Sequence, residues 1–94
     1  MKEQQRKIQI KLDQDKAQGE YANIANIFHN QSEFVIDFAK IMPGVNFAKV
    51  VSRVIMTPRN IKAFLKSVEE NIKKYESNFG EINLEKSDNK RIGF

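Results

Sequence analysis

Residues 32–58, SEFVIDFAKIMPGVNFAKVVSRVIMTP, constrain the fold more than any other stretch of the chain. Two apolar runs flank a Met-Pro-Gly sequence, and a Thr-Pro pair closes the segment. Proline presets the first turn angle and glycine supplies a positive φ, so the two runs read as strands joined by a tight reversal. Glu33–Ala39 alternates Phe34, Ile36 and Phe38 with Val35, Asp37 and Ala39. Ala48–Met56 alternates Val50, Ser52, Val54 and Met56 with Lys49, Val51, Arg53 and Ile55. A period of two places each set on one face of a sheet.

An aspartate inside a strand needs a reason, because Asp is depleted there. If Pro43-Gly44-Val45 centres the hairpin, paired residue numbers sum to about 90 and Asp37 stands opposite Arg53. An opposite-charge pair on one face of neighbouring strands supplies that reason. The rival reading is a catalytic or ligand-binding carboxylate.

Thr57-Pro58 is a helix start: the Thr side chain accepts from a free amide, and Pro suits the first helical position. Apolar residues then recur at Ile61, Phe64, Leu65, Val68, Ile72, Tyr75 and Phe79, one stripe on a 3.6-residue period, until Gly80 stops it. Earlier in the chain, Ile8-Gln-Ile-Lys-Leu12 alternates and reads as a first strand, ended by the turn-rich Asp13–Gly19. Glu20–His29 reads as a second strand of about ten residues. Ile24, Ile27 and Phe28 also fit helical spacing, but Asn23 and Asn26 favour the strand. The expected fold class is therefore α+β: a four-stranded antiparallel meander followed by one long C-terminal helix packed on the sheet. Residues 1–7 form a flexible lead, 8–82 a single domain, and 83–94 a flexible polar tail.

One helix covers one face of such a sheet, and the other face should then be polar. Here both faces carry apolar residues, which implies a homo-oligomer, dimer or tetramer, with the second layer supplied by another copy. Ile41, Met42, Val45 and Phe47 cluster at the hairpin tip. Apolar tips normally face something: these residues fold back on the domain or meet a partner chain, and on the second reading Met42, Val45 and Phe47 are the candidate binding residues for another protein or an unfolded polypeptide.

The net charge of +4 raises nucleic acid as a partner. The excess is thin, however: Lys2, Arg6 and Lys7 outweigh Glu3 at the start, and the rest is spread out. Strong polyanion binders concentrate charge on one face. The nearest approach is Arg59, Lys62, Lys66 and Lys73 along the helix, a line that Glu69 interrupts. These residues, with the basic N-terminus, are the alternative nucleic-acid contacts.

Cysteine is absent, His29 is the single histidine, and the four glycines lie in separate turns or the tail. This gives no thiolate, no recognisable metal set and no phosphate-cradling loop. Ser32 and Ser52 lack an activating base at a recognisable spacing. The expectation is a non-enzymatic protein without catalytic residues, cofactor or metal. No apolar run approaches the roughly 20 residues of a membrane span, and the first residues lack the apolar core of a secretory signal. These features favour the cytoplasm.

GEYAN at 19–23, SEFVIDF at 32–38, MPG at 42–44, SRVIMTP at 52–58 and NIKKYESNFGEI at 71–82 together resemble a family of short prokaryotic proteins, domain of unknown function 3467. The resemblance runs in order from about Ile8 to Ile82 and implies no reaction or cofactor. The order of elements is also loosely similar to the export chaperone SecB, a dimer of dimers that binds unfolded polypeptide. That likeness implies assembly more than client binding, since the chain is shorter, has one clear helix and shares no diagnostic motif.

Overall fold

In the computed structural model, which describes residues 7–84, three strands form an antiparallel sheet in the order β1-β2-β3, followed by one helix. The strands are β1 (Ile24–His29), β2 (Phe34–Ile41) and β3 (Ala48–Met56), and the helix is α1 (Pro58–Phe79). The class is α+β, as expected, with three strands in place of four.

The β2–β3 hairpin has the anticipated turn. Val45 N–H donates to Met42 C=O, Pro43 takes the second position, and Gly44 has φ +82°. That combination marks a type II turn, whose third position excludes most L-residues. Pairs from Phe34↔Met56 to Phe38↔Ser52 keep the sum of 90, including Asp37↔Arg53. The register then slips by one, so that Ala39 faces Val50 and Val51 is the unpaired residue of a bulge. At the other hairpin Asn30 makes the turn. Its side-chain oxygen accepts from the N–H groups of Ser32 and Glu33, at 2.8 and 2.9 Å.

Two expectations fail at the N-terminal side. Ile8–Leu12 belongs to no strand, and Ile10 is 93% exposed. Alternation marks a segment that fits a sheet, yet it names no edge to join, and within this chain the segment joins none. The next strand begins at Ile24 instead of Glu20 because Asn23 ends the ladder with its side chain. Its amide donates to Ile41 C=O at 3.1 Å and accepts from Ile41 N–H at 2.9 Å. One asparagine thereby satisfies both backbone groups that a longer β1 would have paired.

The helix has the expected bounds. Thr57 accepts from Asn60 N–H at its start, and Gly80, at φ +103°, donates its N–H to Glu76 C=O at its end. Its packing differs from expectation. No residue of α1 is buried, and only its first half borders the sheet, where Ile61, Phe64, Leu65 and Val68 share a cleft with Ile27, Phe34 and Ile36. Among the described residues, the buried apolar core comprises Ile36 and Ala39. A radius of gyration of 16.6 Å exceeds the roughly 12 Å of a compact domain of this length. The stripe specifies a buried helix face, but a three-stranded sheet is too narrow to cover 22 residues of helix. Residues 1–6 and 85–94, which hold the N-terminal lead and most of the polar tail, lie outside the described residues.

Replacing Gly44 with alanine forces a Cβ into the left-handed region and should destabilise the hairpin by about 1–2 kcal/mol. Urea unfolding measures this, and an unchanged midpoint would contradict the turn assignment.

Candidate interaction site

The tip of the β2–β3 hairpin brings Met42, Val45 and Phe47 together in one small groove. Phe47 is 65% exposed and Met42 is also open to solvent, while Val45 is half-buried. Pro43 and Gly44 hold these side chains out by making the reversal, and Ala48 starts β3 immediately after Phe47. Lys40 and Lys49 form the remaining walls. They are paired across β2 and β3, an arrangement in which like charges repel. Sequence reasoning missed both lysines. A uniform register would set Lys40 opposite Val50, and nothing in the sequence announces the bulge at Val51 that brings Lys49 there instead. The groove thus combines an apolar floor with two positive rims.

Asp37 and Arg53 meet on the other face of the sheet. Arg53 donates from Nε to Oδ1 at 2.6 Å and from Nη2 to Oδ2 at 2.8 Å. Both carboxylate oxygens are engaged in a fork-to-fork geometry. Asp37 is 6% exposed, whereas the Arg53 side chain is 57% exposed and its guanidinium lies 5.7 Å from the centre of the Phe28 ring. The arginine therefore reaches from β3 across β2 toward β1, tying the three strands together on that face. Hydrogen bonding to Arg53 holds the Asp37 carboxyl below the usual carboxylate range; burial opposes this, and the arginine's charge adds to it. A carboxylate held in this way is a poor proton acceptor at neutral pH.

The alternative basic contacts lie elsewhere. Arg59, Lys62, Lys66 and Lys73 fall along one side of α1, all exposed, with Glu69, Glu70 and Glu76 beside them. Lys7 is exposed, and Lys2 and Arg6 lie outside the described residues. His29, at the end of β1, stacks on Phe34 with ring centroids 5.1 Å apart. None of these groups converges on the tip groove.

Apolar side chains also stand open to solvent along α1, among them Leu65, Ile72, Tyr75 and Phe79. Tyr75 and Phe79 contact each other, with centroids 5.0 Å apart. No helix among the described residues is long and apolar enough to cross a membrane.

The sequence profile of the family described as Protein of unknown function (DUF3467) matches residues 1–84. The chain belongs to this family. No curated protein and no solved structure matches it. The DUF3467 match covers every described element from β1 to α1. The likeness to SecB has no counterpart among these comparisons, and the three observed strands depart from the four it would require.

The ion pair sets an acid limb to stability. Because the Asp37 carboxyl is depressed in the folded state, its contribution is complete above the ordinary carboxylate value of about 4. It is lost as pH falls from there through the depressed value. Asp37→Asn should therefore be less stable than the parent at neutral pH, with the gap closing as the medium is acidified. Urea unfolding across pH 2–7 follows it, and a gap that widens toward acid would contradict the pairing.

Proposed function

We propose that this DUF3467 protein is a non-enzymatic, self-associating module that binds protein, using the hairpin tip to hold an extended polypeptide segment. The observation that carries this reading is the groove of Met42, Val45 and Phe47 between Lys40 and Lys49. Exposed apolar side chains at the end of a well-hydrogen-bonded hairpin favour an apolar partner. The two lysines favour segments in which acidic residues accompany the apolar ones. The non-enzymatic part rests on Asp37, whose two oxygens are both bound by Arg53 and so are not available as a base.

Self-association is supported by the small core and by the apolar area left open on α1. Copies joined away from the tip would present several grooves at once, and linked grooves raise the avidity for a long unfolded chain. This is the sense in which a chaperone-like role fits the surface.

Fluorescence anisotropy of a labelled peptide with alternating apolar and acidic residues tests the reading. Phe47→Ser removes much of the apolar floor and should weaken binding roughly tenfold or more. Salt should weaken binding of the parent only modestly, because two exposed lysines are screened while the apolar contacts are not. If the peptide does not bind, or if Phe47→Ser binds as well as the parent, the tip is not the site. Tight binding of single-stranded RNA or DNA that falls steeply with salt and depends on Lys62 and Lys66 would instead favour the nucleic-acid reading.

A further inference from the structure

The apolar stripe of α1 has a charge pattern that selects its cover. The first half of the helix carries Arg59, Lys62 and Lys66 and no acid, while the second carries Glu69, Glu70 and Glu76 beside Lys73 and Lys74. This runs against the helix dipole, which favours acids at the start and bases at the end. Around the helix, Lys62, Lys66, Glu69, Lys73 and Glu76 flank one side of the stripe, whereas Asn60, Ser67, Asn71 and Asn78 flank the other.

We propose that α1 is the seat of a second copy of this chain, whose own α1 lies antiparallel against it, with a two-fold axis near Asn71 and Ile72. The proposal rests on the self-association inferred above and specifies where it occurs. A two-fold axis perpendicular to the helices brings like flank to like flank in reversed order. Lys66 then comes opposite Glu76 of the second copy, and Glu69 opposite its Lys73. In the stripe itself, Phe64 meets Phe79, Val68 meets Tyr75, and Ile72 lies near its own mate. A parallel pair would instead set the charged flank against the asparagine flank, leaving these charges unmatched. Antiparallel helices also oppose their dipoles favourably.

The area is sufficient. From their fractional exposures, Phe64, Leu65, Val68, Ile72, Tyr75 and Phe79 leave roughly 650 Å² open per chain. With the flanking stems this approaches the about 800 Å² per partner of a stable interface. The cleft that the first half of α1 shares with Ile27, Phe34 and Ile36 extends the same surface onto the sheet, so the second helix gains contacts beyond α1 alone.

The absence of cysteine permits a direct test by disulfide trapping. In the full chain, Ile72→Cys lies close enough to the axis to cross-link to its own copy, whereas Phe79→Cys lies far from its mate. Mild oxidation should convert most of the Ile72→Cys protein to a covalent dimer and leave Phe79→Cys alone uncoupled. A mixture of Phe64→Cys and Phe79→Cys should give the mixed dimer, which keeps the test informative if Ile72→Cys folds poorly. Efficient self-coupling of Phe79→Cys would mean a parallel pair and overturn the proposal. No coupling in any variant while the cysteine-free protein has the mass of a dimer would place the interface elsewhere, overturning the proposal and leaving self-association intact. A monomeric mass for the cysteine-free protein would overturn both.

Discussion

Ile36 and Ala39 are the apolar residues that the described chain withdraws from water, and this shortage of burial governs the rest of the structure. A sheet of three short strands has one narrow surface on each side. The chain places apolar residues on both surfaces and along a helix of 22 residues, more than the sheet can cover. Domains near this size draw only a few kcal/mol from their own cores even when they are well packed. The chain compensates locally through turn chemistry, bidentate ion pairing and capping. It leaves apolar residues of the sheet and of α1 open to solvent.

The Asp37–Arg53 pair shows how the local devices work together. A buried carboxylate is costly unless its oxygens are satisfied, and the arginine opposite satisfies both. The pair depends on the register between Phe34 and Phe38, and that register is reached only through the bulge at Val51: the pairing next to the Pro43-Gly44 turn, continued without it, would set Asp37 opposite Ser52. A one-residue slip would put Asp37 opposite a different residue and leave its charge without a partner. The bulge, the register and the ion pair therefore belong together. Beyond Phe38 the bulge at Val51 releases the register and lets the tip assemble its groove under different pairing.

Much of this was legible in the residues. The bounds of β3 and α1 and the Thr57 and Gly80 caps follow from local rules that act over a few residues, and the Asp37–Arg53 opposition agrees with the expected sum of about 90 once the bulge at Val51 is included. Two of the misreadings share one physical origin. Ile8, Ile10 and Leu12 alternate as a strand would, and the α1 stripe is periodic as a packed helix would be, yet both remain exposed. Periodicity encodes which side of an element seeks burial and carries no information about which molecule provides it. The shortened start of β1 arose from Asn23, whose side chain competes with the backbone ladder in a way that β-propensity does not register. The lysines of the tip groove were hidden by the bulge, for which the sequence holds no marker.

The central claim is that folding of this DUF3467 chain is completed by a second copy. Thermal unfolding followed at chain concentrations spanning a hundredfold range tests it most directly. If assembly supplies the missing burial, the midpoint rises with concentration, because only the folded state binds a partner. A cooperative transition whose midpoint is the same at every concentration would show that the chain is stable alone, and would contradict the account.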